Sequence, residues 1–423
     1  MEHIKVPAVA NTLSVKAFGA LHHSHYRIYF FSGIVAMIAD NIEHVVVYWI
    51  IFQKFHSPTL AGFAVISHWL PSLLFSVHSG ALADRMDCRK LIKWSQIVYM
   101  VSSFAWWILL LTGSLQIWQA VILLLLHGVA SVLFGPAQQL IIHDMVGSEY
   151  LQSAIRLNAS SRSLSTLLGP AIGGALMLML GPAMGIIANV LNYIPLIIAA
   201  GYLPYTGHRL ESNQGEKRKR STSFKELGEI FKEAAQDRRI LFMIIIGGVT
   251  SLFVGNAFQA QMPEYAHRLG ADEVGVQYSA LLAANAAGAL VAVFLLETTS
   301  YLKPTVRSAL ICTTIWSLAI GLFPLVPSYA WAMILLLLAG FFNITFVSMA
   351  QTLVQVLAPA HMRGRFVGLF QMANMGLRVG SGFTVGVLGG IVGVSWSLGI
   401  SAAVVLAISL VMLALHIMGS HQR

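Results

Sequence analysis

Twelve apolar runs, each close to the roughly 20 residues a helix needs to cross hydrocarbon, leave this chain few places to fold. They lie at 27–52, 58–80, 91–113, 116–140, 153–179, 183–204, 239–262, 275–297, 306–326, 329–352, 365–388 and 395–418. Only 10% of the 423 residues are charged and the mean hydropathy is +0.74, where a soluble domain carries roughly 25% charged residues. An all-α integral membrane protein is expected. Hydrocarbon offers no partner to backbone N–H and C=O groups, so each crossing is expected as a helix that satisfies its own.

The charged turns give the orientation. All but four of the 26 basic residues fall in the termini and in alternate loops. Lys54 and Arg268 sit in the opposite loops, and Arg162 and Arg378 fall inside runs. This positive-inside asymmetry predicts a multi-pass protein of the cell (inner) membrane with both termini cytoplasmic. The net charge of +9 is explained by topology, and no nucleic-acid partner is expected. Cys88 and Cys312 are predicted at different depths, so no disulfide is expected. The polar start, Met1 to Tyr26, has no basic–apolar–small cleavage pattern, and no removable signal is expected. No metal-ligand spacing, phosphate-binding glycine loop or nucleophile–base pattern is present in the sequence. The expectation is therefore no metal, no cofactor and no enzyme, and no ATP-driven pump.

One long polar interruption divides the chain. The expected domains are a cytoplasmic N-terminal segment 1–26, a six-helix bundle 27–204, a basic cytoplasmic linker 205–238, a second six-helix bundle 239–418 and a tail 419–423. Within the linker, Lys217–Arg220 suits anionic lipid, though a topogenic role is the commoner use of such a run. Phe224 to Ala234 reads as a surface amphipathic helix. A repeat at a shift of 212 supports two halves: Leu123–Gly128 matches Leu335–Gly340, Phe134 falls on Phe346, Gln139 on Gln351, and Gly174 on Gly386. Parallel repeats of this kind place a substrate path between them.

The polar residues inside the runs are the candidates for mechanism. Asp40, Glu43 and His44 share one face of the first helix by their spacing. Carboxylates at that depth are costly against lipid, so they are expected to face an aqueous cavity or a partner and, at Asp40, Glu43 or both, to carry protons in competition with a cationic or polar substrate; the alternative is a permanent ion pair or a hydrogen-bonded structural acid. Arg162 and Arg378 are expected as counter-ions to these acids, as an anion site, or as structural pairs. His68, His78, His127 and His143 are scattered and read as packed polar residues. Trp49, Trp69, Trp106, Trp107 and Phe258 read as interface anchors or as the wall of a cavity.

Several motifs carry a family resemblance. Gly80-x-Leu-Ala-Asp84-Arg85-x-x-x-Arg89-Lys90 resembles the loop between helices 2 and 3 of major facilitator superfamily transporters. Gly169-Pro170-Ala-Ile-Gly173-Gly174 resembles the end of the antiporter motif of drug–proton antiporters. Gly135-Pro-Ala-Gln-Gln, Asn158-Ala-Ser-Ser, Ser57-Pro-Thr-Leu-Ala-Gly62 through Leu70-Pro71, and Arg363-Gly364-Arg365 continue the pattern. Together they resemble the exporter branch that includes enterobactin and macrolide exporters. The chain departs from the pattern at Ser165, where glycine is usual, and in run 4, where many antiporters have an arginine and this chain has only His127.

The resemblance implies twelve transmembrane helices in two pseudo-symmetric six-helix bundles. It implies a secondary active transporter, a proton-coupled antiporter exporting amphiphilic drug-like compounds or a siderophore by alternating access. Its partners would be a small-molecule substrate, protons and membrane lipids, with the chain a monomer. Gly80, Asp84, Arg85, Arg89 and Lys90 would form a gating loop, and Gly169, Pro170, Gly173 and Gly174 a bending, close-packing motif. A lipid or lysophospholipid flippase of the same fold is the first alternative, and a non-transporting membrane receptor or scaffold the second.

Overall fold

The computed structural model describes residues 18–208, 224–270, 275–298, 304–359 and 363–421. The segment 1–17, the linker run Lys217–Arg220 and the last two residues lie outside that set. The described residues are predominantly helical, with no strand among them. The main helices are α1 (Ser24–Phe55), α2 (Pro58–Ala83), α3 (Cys88–Leu111), α4 (Ile117–Gly147), α5 (149–180), α6 (182–202), α7 (Arg238–Ala260), α8 (Val276–Leu296), α9 (Val306–Leu325), α10 (Tyr329–Leu357), α11 (Phe366–Val392) and α12 (Val394–Gly419).

Ten helices among the described residues are long and apolar enough to cross a membrane. One of them, Glu149–Tyr202, runs for 54 residues, about 80 Å at 1.5 Å per residue, far more than one hydrocarbon thickness. It breaks at Gly181, where φ is 79° and ψ 164°, as α4 and α5 break at Gly147 with φ 66° and ψ 179°. Such backbone angles are open to glycine at little cost. Taken as separate crossings, α5, α6 and the 26-residue α2 make twelve.

Local chemistry fixes the turns. Ser57 Oγ accepts from Leu60 N at 3.2 Å, with Pro58 opening α2. Asp87 caps α3 by accepting from Arg89 N at 3.0 Å and binds the Arg89 guanidinium at 2.6 Å. Arg89 Nη1 in turn donates to Leu203 O at 2.7 Å, tying the loop to the end of α6. Partial burial pushes the Asp87 carboxyl up, but its bonds to Arg89 hold it below the usual carboxylate range. A lowered folded-state value adds stability that is present above the unfolded carboxylate pKa and is lost as pH falls through the folded one. Asp87→Ala removes the cap and is expected to cost about 1 kcal/mol, read as a lower thermal midpoint of the purified protein at neutral pH.

The buried core has the shape of a fork. One cluster spans both halves, joining Val45, Trp49 and Leu60 to Tyr278, Tyr265 and Leu336. It lies on the membrane side away from the termini. On the terminal side the core splits in two. Tyr26, Leu91, Ile141 and Leu203 gather in the first half, and Ile240, Val306, Val354 and Phe366 in the second. The expected surface helix Phe224–Ala234 is present, with Ile230 and Ala234 buried in that second cluster.

The shared cluster forms a tight seam. A Cβ on Gly62 of α2 or on Gly386 of α11 would overlap the other's Cα, so the two backbones touch. A Cβ on Gly174 of α5 would overlap Ser279 of α8. Trp49 stacks on Tyr278 with ring centroids 5.7 Å apart, and Tyr278 Oη donates to Val45 O at 3.1 Å. Gly174 and Gly386 are the two members of one repeat pair, and each lies at a crossing between the halves. The repeat also holds within each half. Gly128 of α4 lies against the Ser67 carbonyl of α2, and Gly340 of α10 against the Asn285 carbonyl of α8.

Candidate functional site

The acids of α1 are joined by a histidine from α4. Gly128 lets α4 come against α2 at Ser67, and the preceding residue, His127, projects beside α1. Its Nε2 lies 2.8 Å from Asp40 Oδ1 and its Nδ1 lies 3.2 Å from Glu43 Oε1. One imidazole thus bridges two carboxyl groups. The geometry is satisfied by an imidazolium between two carboxylates, or by a neutral ring between a carboxylate and a carboxylic acid.

The two acids have different surroundings. Glu43 is 3% exposed. Besides His127, its Oε2 accepts from Tyr193 Oη at 3.0 Å and from Ser103 Oγ. Tyr193 stacks on Tyr99, whose ring edge meets His127 at 4.6 Å. Asp40 is 30% exposed, so it is the member of the bridge that solvent between the halves can reach. His44 Nδ1 donates to the Asp40 carbonyl at 2.7 Å and lies 3.7 Å from Asp40 Oδ1. The sequence-expected trio Asp40, Glu43 and His44 is therefore one cluster.

His68 completes the wall. Its ring is 4.8 Å from that of His44 and 5.6 Å from that of His127, and its Nδ1 is buried with no hydrogen-bond partner among the described residues. A cavity of about 20 Å³ lies among Glu43, His44, Tyr48, Ser67, His68 and His127. That is room for a water and far too little for an organic solute. One ring nitrogen from each of His44, His68 and His127 lies within 4.8 Å of the others. Both His127 nitrogens and His44 Nδ1 are engaged with Asp40 and Glu43, so the cluster is a hydrogen-bonded network as it stands.

Neither arginine pairs with these acids. Arg162 of α5 is exposed and reaches across to Met375 Sδ of α11 at 3.9 Å. Arg378 of α11 lies over the Trp69 ring of α2, 5.0 Å from its centroid. Each therefore projects from one half onto the other. Two π-turns, Met372–Gly376 and Gly382–Val387, flank the Arg378 turn. Turns of this kind are rare and concentrate at functional sites.

The glycine motif connects the acids to the seam. A Cβ on Gly169 would overlap Asn41, and one on Gly173 would sit 3.4 Å from Val45, so α5 lies directly on the acid-bearing stretch of α1. Pro170 is buried between these contacts, and Gly174 faces α8. In the loop Gly80 to Lys90, Asp84 and Arg85 are exposed and in no ion pair among the described residues. Arg89 is clamped to Asp87 and Leu203, and Lys90 is exposed.

In the sequence His127 and His68 read as packed polar residues, and nothing there singles out Ser103, Tyr99 or Tyr193. A signal existed for His127. It stands in the helix where the resembling transporters carry an arginine, and a basic group there faces the acids of α1.

Comparison with known proteins gives a consistent picture. Residues 29–382 match the family model described as Major Facilitator Superfamily. The chain is 24% identical over 378 residues to the enterobactin exporter EntS of Citrobacter koseri, covering 87% of this chain and 85% of that one. It is 22% identical over 232 residues to macrolide efflux protein A of Streptococcus pyogenes, covering 54% of this chain and about half, 55%, of the relative. The fold resembles the inward-facing, unoccupied crystal structure of a bacterial homologue of the human lysosomal transporter Spinster, with a TM-score of 0.67 at 15% identity, covering 93% of this chain and 96% of that one. It also resembles the crystal structure of the nucleoside transporter NupG, with a TM-score of 0.64 at 12% identity, covering 92% and 98%.

Proposed function

The chain belongs to the Major Facilitator Superfamily, and from that premise we propose that it exports amphiphilic compounds, drug-like or siderophore-like, in exchange for protons. It is a multi-span membrane transporter of small molecules and not an enzyme. The halves 27–204 and 239–418, joined by the linker 205–238, rock about the space between them. The segments 1–26 and 419–423 lie in the cytoplasm, as the basic-residue asymmetry supports. With that orientation the divided core opens the path toward the cytoplasm and the glycine seam closes it outside.

The bridge Asp40–His127–Glu43 is the observation that carries proton coupling. Glu43, met by three donors, is the anchored end of the bridge. Asp40 is the exchangeable site. Protonating it removes its charge attraction for His127 and loosens α1 against α4. Gly169 and Gly173 pass that movement to α5, and Gly174 passes it to the seam with α8. Proton loading and seam closure are thereby linked through contacts, whatever the charge of the solute. The loop residues Gly80, Asp84, Arg85, Arg89 and Lys90 act on the cytoplasmic side, where Asp84 and Arg85 are free to engage the second half when it closes. Export as the direction is supported by two relatives named for export or efflux and by the Gly169–Gly174 motif.

Inside-out vesicles with an acid interior test this. Adding members of a panel of amphiphiles and siderophores is expected to release protons from vesicles carrying the protein and not from empty ones. Solute uptake without proton release removes proton coupling, and uptake that runs only in the opposite direction removes export.

A further inference from the structure

The arginines of α5 and α11 have no part in the proton bridge, yet they occupy the middle of the path. Arg162 touches Met375, which precedes Arg378 by three residues and so lies near it along α11. The two guanidiniums therefore converge on one place from opposite halves. Among the described residues the carboxylates available at this depth are Asp40 and Glu43, and both are engaged by His127. Neither arginine is in an ion pair among the described residues. Two like charges converge at mid-membrane with no carboxylate in contact, Asp40 acting on Arg162 only from beyond ion-pair distance, and they repel one another. Lys or Arg near a helix end can extend to the interface, but these two lie near the centres of their helices. Their surroundings are aromatic and soft, the Trp69 face under one and the Met375 sulfur beside the other.

Resting on the transport reading above, we propose that the solute is an organic anion, with a carboxylate held between Arg162 and Arg378 and an aromatic or apolar body against Trp69. The planar guanidinium fork matches a carboxylate with two parallel N–H donors, which an ammonium does not. Because the two arginines belong to different halves, the anion draws the halves together, while the empty site holds two like charges apart. A neutral or cationic amphiphile would gain the Trp69 contact but would leave both cations unpaired.

The test is binding to the purified protein in phosphatidylcholine nanodiscs, with no gradient, so that it does not depend on proton coupling. Tryptophan-to-dansyl energy transfer is followed for dansyl-glycine, an anion, dansylamide, which is neutral, and dansylcadaverine, a cation. Dansyl-glycine is expected to bind at least 10-fold more tightly than the other two. Arg162→Gln and Arg378→Gln are each expected to weaken it at least 10-fold while leaving dansylamide unchanged, with the lysine variants intermediate. The lysine variants also serve where a glutamine variant does not fold. Equal binding of the three probes, no binding of dansyl-glycine, or indifference to both substitutions overturns the proposal. Loss of dansyl-glycine binding when phosphatidylglycerol replaces phosphatidylcholine assigns the site to a lipid headgroup and overturns the soluble solute. Anion binding without proton release in the vesicle experiment leaves this inference standing and sinks the proton coupling.

Discussion

Asp40→Asn is expected to reduce proton-driven transport to background, with a smaller fall in the thermal midpoint than Glu43→Gln gives. Asparagine keeps the shape of aspartate, and its side-chain oxygen still accepts from His127 Nε2, now 2.8 Å from Asp40 Oδ1. It cannot bind or release a proton. The variant should therefore exchange labelled solute for unlabelled solute across the membrane, since that needs only the moving halves, while failing to accumulate it against a gradient. Glu43→Gln gives the contrast. Glu43 is buried among three donors, and removing one charge of a buried bridge costs about 3–5 kcal/mol. Its dominant effect is thus expected on stability, as a lower thermal midpoint and a poorer yield. If Asp40→Asn pumps like the native protein, the exchangeable proton is elsewhere.

Gly386→Leu is expected to open the seam. The added side chain would overlap the Gly62 backbone, and backbone cannot move aside by changing rotamer. Overpacking of this kind costs about 1–3 kcal/mol, and the upper end, about 100-fold in a two-state ratio, is the relevant one for a backbone contact. The halves should part on the side away from the termini. Spin labels at Ser114 and Pro327, in loops of opposite halves on that side, should report a longer distance in the variant. Gly62→Leu should act in the same direction and should not add to it, because both insert into one contact. Gly386→Ala should give a smaller shift of the same sign. An unchanged distance distribution in Gly386→Leu would mean that the seam does not set the conformational balance.

The parts of this molecule that were legible in the sequence are those with a charge or a period. Acids in an apolar run announce themselves, and the spacing of Asp40, Glu43 and His44 placed them together. The repeat offset picked out Gly174 and Gly386 as equivalents. It did not reveal that both sit between the halves, because an offset is blind to which helices touch. His127 lies 84 residues from Glu43, and spacing within its run of leucines says nothing of a partner at that distance; the one pointer is the arginine that the resembling transporters carry in that helix. The π-turns around Arg378 were illegible for another reason. Hydrophobic period reports the mean winding of a helix, and one extra residue in a turn disappears into the boundary error of the run. The glycines at 376, 380, 382 and 386 hinted at an unusual helix without saying how it was wound.

Those π-turns make α11 something other than a stiff rod. Each contains one residue more than an α-turn, and moving that surplus residue from one side of Arg378 to the other turns everything between by about 100°. The two ends of the helix need not move. Arg378 would leave the Trp69 face by such a local twist, in the manner of a ratchet, as Gly380 and Ser381 leave Leu252 and Gly255, while Gly386 stays seated on Gly62. Release of whatever the guanidinium holds is then separable in time from the parting of the halves.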